Sequence, residues 1–223
     1  MKKSNIIVIA FSAFIVISIL IFYIDGKKHT KKDDTKFETV QLPDFSVIVV
    51  EDNADVHISQ SDTIRLKIEL KNDSTAKGKN YSIANDTLHL YKGNRIYVYN
   101  KNTKSIIAKS AYWVGIRFEK TDSLYVESYD TREIVLNMNT KECNAEKLYL
   151  NLQNTKNFYI YDGLDVKIFQ VDLKKSELNI MGGKFKNASI NLSDSSYLQN
   201  NEGKNLENTI IKKDETSYLN VYD

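Results

Sequence analysis

The sequence predicts an all-β solenoid, parallel β-helix-like with rungs of about 20 residues, preceded by one N-terminal transmembrane helix. Three observations predict it. An inward apolar pair recurs as Phe158-Tyr-Ile160, Leu178-Asn-Ile180, Leu198-Gln-Asn200 and Leu219-Asn-Val221, at steps of 20, 20 and 21 residues. A second series runs half a step out of phase through Leu148-Tyr-Leu150-Asn-Leu152, Ile168-Phe-Gln-Val171, Ile190-Asn-Leu192 and Ile210-Ile211. Finally, no window after residue 24 carries a helical stripe, while the 19 residues Ile6 to Ile24 contain no charge. Each rung has too few apolar residues to hold itself, but stacking pairs its backbone groups with its neighbours and aligns the inward side chains into columns. Phe158, Leu178, Leu198 and Leu219 are expected to form one such column.

Residues 1–24 read as a signal anchor. As a helix, Ile6 to Ile24 would reach about 28 Å and just cross a hydrocarbon core. Ile21-Phe-Tyr-Ile24-Asp25 offers no small-x-small cleavage pattern, so an uncleaved anchor is expected. Residues 25–36 (DGKKHTKKDDTK) are charged and aperiodic, which suits a polar tether. Lysines on the C-terminal side argue for a cytoplasmic domain. A short basic tail before an apolar stretch at the N-terminus argues for export, and long domains translocate largely regardless of charge. The expected location is therefore membrane-anchored, with the domain periplasmic or extracellular.

Residues 37–223 read as the solenoid domain. Val47-Ile-Val-Val50, Val56-His-Ile58 and Ile64-Arg-Leu-Lys-Ile-Glu-Leu70 alternate with period two, as half-buried strands do. After the polar stretch 71–80, the pattern resumes at Tyr81-Ser-Ile83, Leu88-His-Leu90 and Ile96-Tyr-Val-Tyr99. Trp113-Val-Gly-Ile-Arg-Phe118 reads as a further strand, followed by Leu124-Tyr-Val126 and Ile134-Val-Leu136. Pro43 is the single proline and there are 8 glycines. Asn, Asp and Ser take over the turn positions, because Asn and Asp tolerate left-handed backbone and bond locally. A last rung at Tyr218–Asp223 without an obvious cap leaves a pairing edge, so end-to-end self-association is expected there.

Charge excludes one class of partner. Lys+Arg 31 against Asp+Glu 29 leaves +2 with no basic cluster, so nucleic acid is not an expected ligand. Cys143 is alone and reads as a small core or turn residue rather than a disulfide or metal ligand.

The run Leu42-Pro-Asp-Phe-Ser-Val-Ile-Val-Val50, then Ala54-Asp-Val-His-Ile-Ser-Gln60 and Thr63-Ile-Arg-Leu-Lys-Ile68, resembles the opening of the head GIN domain family, the autotransporter-adhesin-like exported proteins of Bacteroidetes. Asn85-Asp-Thr-Leu-His-Leu90 is similar to a further strand of that family, and the resemblance covers residues 37 to 223. It implies an exported, mostly parallel β-helix-like or two-sheet solenoid. The chain departs from the family's Gly- and Ser-rich corners.

No catalytic constellation emerges. His57 and His89 alternate with Val56/Ile58 and Leu88/Leu90 and so face outward without a local acid, base or metal partner; His29 lies in the tether. Asp52/Asp55, Asp33/Asp34 and Asp214/Glu215 read as solvated turns, since neighbours in sequence guarantee no catalytic carboxylate spacing. The candidate binding residues are tyrosines. Tyr97, Tyr99, Tyr125, Tyr149, Tyr159, Tyr161, Tyr197, Tyr218 and Tyr222 flank inward apolar residues and are expected on the outside. Tyrosine offers a flat apolar face with a hydroxyl, suiting a glycan or an envelope protein; the competing reading is a cross-rung ladder. The functional expectation is a non-catalytic, exported, adhesin-like envelope module without cofactors. The alternatives are a carbohydrate-active enzyme on a parallel β-helix and a signalling accessory domain that binds another membrane protein.

Overall fold

The computed structural model describes residues 14–22, 36–70, 80–91, 95–137 and 142–222. Two compact units result, Met1–Lys36 and Phe37–Asp223. In the first, residues 14–22 are helical. Among the described residues no helix is long and apolar enough to cross a membrane, so the structure does not support the transmembrane helix expected over Ile6 to Ile24. The rest of that segment, and tether residues 25–35, lie outside the described residues.

The second unit is all β. Its strands are β1 (Lys36–Gln41), β2 (Val47–Val50), β3 (Asp55–Gln60), β4 (Arg65–Leu70), β5 (Tyr81–Ala84), β6 (Thr87–Leu90) and β7 (Ile96–Asn100). They continue as β8 (Ser105–Lys109), β9 (Trp113–Arg117), β10 (Lys120–Tyr129), β11 (Glu133–Leu136), β12 (Cys143–Gln153) and β13 (Asn157–Ile160). The last are β14 (Leu164–Lys174), β15 (Glu177–Ile180), β16 (Lys184–Ser193), β17 (Tyr197–Asn200), β18 (Thr209–Lys213) and β19 (Tyr218–Val221). They form a 10-stranded sheet in the order β1-β4-β7-β3-β9-β11-β13-β15-β17-β19 and a 9-stranded sheet in the order β18-β16-β14-β12-β10-β8-β2-β6-β5.

From β8 onward the chain coils as expected, in about five turns with rungs of about 21 residues. Partners in the nine-stranded sheet show the step: Ser105 with Tyr125, Thr121 with Ala145, Ala145 with Val166, Val166 with Phe185 and Ile190 with Ile211. The column through Phe158, Leu178, Leu198 and Leu219 is in register, and it extends backward through Ile134 and Val114 to Val56. Facing it, Ile48, Ile106, Val126, Leu150, Val171, Ile190 and Ile211 align across the other sheet. Full burial of each such side chain contributes about 1.5–3 kcal/mol, which is why the recurrence fixes the register.

Three features differ from the expectation. First, stack order is not chain order at the N-terminal end. β2 pairs with both β6 and β8, and β3 pairs with both β7 and β9. The first rung of the chain therefore lies second in the stack, inside the rung made by β6 and β7. Its inward Ile48, Val50, Val56 and Ile58 are all buried and gain neighbours on both sides. Outside it, β4 and β5 add antiparallel to β7 and β6, so at this end the parallel ladders are covered by antiparallel strands.

Second, Ile168 and Ile210 do not belong to the inward series; Phe169 and Ile211 take those positions. Three long strands, β12, β14 and β16, each step once out of alternation by turning two consecutive residues outward: Glu146-Lys147, Lys167-Ile168 and Lys186-Asn187. A lysine in every pair makes burial costly, and the phase of the following apolar residues is set by that.

Third, a small polar column runs inside the corner before the second strand of each rung. Ala54, Ala111, Thr131, Thr155, Ser176, Ser196 and Ser217 are all buried. Ser196 Oγ accepts from the Ser176 backbone N–H at 3.3 Å and donates to the Ser193 carbonyl at 2.6 Å, while Ser217 Oγ accepts from the Ser196 N–H at 3.2 Å. Side chains thus satisfy buried corner amides that strand pairing leaves over. The corner residues themselves carry the expected chemistry: Asp130, Asn154 and Asp194 have φ of 51°, 51° and 55°. Cys143 is buried, as expected of a small core residue.

Candidate functional site

The inverted rung order builds a groove of about 470 Å³ on the outward face of the ten-stranded sheet. His57, Arg65, Tyr97, Tyr99, Trp113 and Arg117 line it. With β3 held between β7 and β9, His57 has Tyr97 on one side and Gly115 on the other, Asp55 faces Trp113, and Ser59 lies between Tyr99 and Arg117. Arg65 and Lys67 come in from β4 opposite Tyr99 and Tyr97.

Gly115 gives the groove its floor. A Cβ at this position would stand 2.1 Å from Trp113 Cη2, so the indole lies over the space that the missing side chain leaves. Trp113 Nε1 donates to Glu133 Oε1 at 3.1 Å, which fixes the ring in its plane. The His57 ring stacks on Tyr97 at 4.7 Å and 14° and meets Trp113 at 4.5 Å and 45°; Phe37 from β1 meets Tyr97 edge-on at 5.7 Å. Four aromatic rings from four strands therefore form one continuous surface.

Electrostatics keep this surface neutral at its centre and cationic at one side. Burial pushes the His57 pKa below its ordinary 6.5, against the pull of Asp55 at 3.8 Å, with Arg95 and Arg117 acting in the same direction as burial. Asp55 is already held by Arg95, 3.2 Å away. The Arg65 guanidinium lies over the Tyr99 ring at 4.6 Å and the Lys67 ammonium at 5.7 Å. Arg65 Nε is buried and has no hydrogen-bond partner among the described residues. Gln60 closes the rim by accepting from the Glu119 and Lys120 amides at 2.7 and 3.1 Å and donating to the Lys120 carbonyl at 2.9 Å.

These groups suit binding better than bond cleavage. The carboxylate beside His57 is held by Arg95 and Glu133 accepts from the indole, so these two acids are engaged in holding the site together. Among the described residues, no group of three or more His, Cys, Asp or Glu could hold a metal ion. His89 lies on the other sheet, 3.7 Å from Glu51. Asp214 caps a turn, its pKa lowered to about 2 by the Ser217 hydroxyl, the Asp194 amide and Thr216. Asp33/Asp34 and His29 lie outside the described residues.

All nine candidate tyrosines point away from the core, but they do not share one face. Tyr97, Tyr99, Tyr159, Tyr197 and Tyr218 stand on the ten-stranded sheet, with Tyr161 and Tyr222 just beyond strands of it; Tyr125 and Tyr149 stand on the nine-stranded sheet. Tyr125 and Tyr149 are in register and stack at 4.5 Å and 4°, a cross-rung ladder. Tyr159 meets a tilted Tyr161 at 6.4 Å. Tyr97 and Tyr99 alone line the groove. Sequence reasoning missed Trp113, Arg65 and the role of His57. Alternation does place Trp113, Gly115 and Arg117 on one outward face, but the pairing that brings in Tyr97 and His57 depends on the inverted rung order.

Fold and groove together define a β-solenoid with a lateral aromatic and basic recess. No family model matches the chain, and no curated protein matches it. Solved structures do. A protein of Parabacteroides distasonis superposes with a TM-score of 0.60 at 13% identity, over 84% of this chain and 79% of its own. A second, from Bacteroides fragilis, gives 0.50 at 13% identity, over 85% of this chain and 98% of its own. Each is described as a "putative adhesin". At this identity the likeness shows the fold alone.

Proposed function

We propose that the chain is a non-catalytic binding module of the bacterial cell envelope, adhesin-like and of the head GIN type, with the groove at His57 and Trp113 as its contact site. It is carried by a membrane tether through Ile6 to Ile24, with the solenoid in the periplasm or outside the cell. The observation that supports this reading most is the surface of four aromatic rings gathered on one face of the sheet. Rigid aromatic surface costs little conformational entropy on binding and supplies large contact area. The names of the structural neighbours agree with it. Exposed Ile210, Leu219 and Val221 along β18 and β19 support end-to-end pairing of two copies as a secondary property.

The test is capture of whole bacterial cells and of a glycan array by the full-length protein in mild detergent, run beside polysaccharide-turnover assays. Capture that falls at least tenfold in Trp113→Ala without turnover is the expected result. Turnover of any polysaccharide at an enzymatic rate, or capture indifferent to Trp113→Ala, overturns the reading. Sedimentation of the same preparation reads the mass for end-to-end pairing.

A further inference from the structure

The groove's chemistry names a ligand class. We propose that it takes an acidic glycan, a short run of sugar rings bearing carboxylates, with one ring on the Trp113 indole and a carboxylate on Arg65. This rests on the binding-module reading above.

A sugar ring presents an apolar face of C–H groups and a rim of hydroxyls, and it needs a flat aromatic partner with polar groups beside it. Trp113 supplies the flat partner, since Gly115 lets the indole lie over the sheet and Glu133 holds its N–H. From β4 to β9 the sheet advances three strands, about 14 Å, which gives a short oligosaccharide room to lie across it. The carboxylate follows from charge. Asp55 is neutralised by Arg95; Glu133, bound to the indole N–H, and Glu119 at the rim keep their charge, so the place for a carboxylate is the β4 side, away from Glu133. On the β4 side, Arg65 and Lys67 both stand over Tyr99. Arg65 lines the groove with its Nε shielded, so the terminal N–H groups of the guanidinium are the ones that face a ligand, and their fixed fork is matched to a carboxylate. An acidic peptide would satisfy the arginine but would not use the flat indole.

Calorimetric titration of the full-length protein in mild detergent tests this with three probes: oligogalacturonate, the same oligomer fully methyl-esterified, and hexaglutamate. The ester keeps ring shape and hydroxyls and removes the charge. Oligogalacturonate is expected to bind, the ester about tenfold or more weakly, and hexaglutamate not at all. Arg65→Gln is expected to abolish the preference for acid over ester. Gly115→Ala, which displaces the indole, should weaken both sugars alike with the melting temperature kept. Equal binding of acid and ester, binding of hexaglutamate as tight as the sugar, or no effect of Arg65→Gln overturns the acidic-glycan assignment. If cell capture nonetheless survives and remains sensitive to Trp113→Ala, the binding-module reading stands with a different ligand. If cell capture is lost as well, both fall.

Discussion

The two ends of the ten-stranded sheet share an architecture and differ in what they show to solvent. Along one outward row, Lys67, Tyr97, His57 and Gly115 come from β4, β7, β3 and β9, and the same row continues through Val135 and Tyr159 to Asn179, Gln199 and Asn220. The C-terminal part is built by rungs in chain order, and its outer face ends in amides. Asn179 binds Glu177, Gln199 binds Asn201, and Asn220 binds Tyr222, each two residues away along its own rung. The N-terminal part is built by rungs out of order and gathers aromatic and basic side chains from distant stretches. Regular coiling makes the body; the one topological inversion makes the recess. The recess and the main apolar column are thereby separated along the stack, because neighbouring rungs interact and distant ones do not.

The largest way to break that separation is in the regular part. Phe158 is fully buried between Ile134 and Leu178 in the main column. Phe158→Ala is expected to cost about 3–5 kcal/mol through lost burial and a cavity. Urea unfolding measures it, and the surviving folded protein should keep the ligand affinity of the groove. A matching loss of affinity would show that the two regions are energetically one.

Next in size is the corner column. In Ser196→Ala the Ser176 amide loses its acceptor inside the core, at a cost of about 1–3 kcal/mol. Thermal unfolding reads the change, and hydrogen exchange at Ser176 locates it. Thr131→Ala should cost less, because its hydroxyl donates to the Ala108 or the Tyr129 carbonyl, at 3.3 and 3.2 Å, and among the described residues accepts from no corner amide. An equal loss at both would mean that burial of any hydroxyl, rather than the amide it serves, sets the cost.

The same contrast explains what the sequence discloses. The Leu-x-Ile cells at Leu178 and Leu198 announce their register because every inward position repeats at a nearly constant step, so one period reports both pairing partners. The corner column repeats at that step as well, in Ser176, Ser196 and Ser217, but hydroxyl residues are common in turns and the signal is lost among them. The groove is legible only in part. Alternation makes His57, Tyr97 and Tyr99 outward-facing, yet a period says nothing of which rung lies beside which once order and stack diverge. Ile168 shows a third limit: its apolarity suggests an inward place, and Lys167 next to it, paired with Glu146 at 2.6 Å, decides otherwise by the cost of burying charge.

A smaller effect distinguishes the two tyrosine settings. Tyr125 and Tyr149 stack face to face, and a double-mutant cycle to Ser should give a coupling of about 0.5–1.5 kcal/mol. Tyr159 and Tyr161, tilted and 6.4 Å apart, should couple less. Tyr159, Tyr161 and Tyr222 changed together to Ser should leave the melting temperature within a few degrees. A large drop would mean that the outward tyrosines of the C-terminal part act as a ladder without ring contact.

The smallest effect is a pH dependence confined to the N-terminal part. His57 is packed by Tyr97 from β7 and Trp113 from β9, with Asp55 on its own strand and the cations Arg95 and Arg117 nearby. Burial lowers its folded pKa below 6.5, so between that value and the folded pKa the unfolded chain binds more protons than the native one. Stability from this residue is complete above pH 6.5 and declines as pH falls toward the folded value. Unfolding free energies from about pH 7.5 down to about pH 5 should therefore slope downward in the native sequence and slope less in His57→Gln. A native sequence that gains stability as pH falls through this range would mean that Asp55, not burial, governs the ring. Because Arg95 holds the same carboxylate at 3.2 Å, Arg95→Gln should move His57 toward that behaviour.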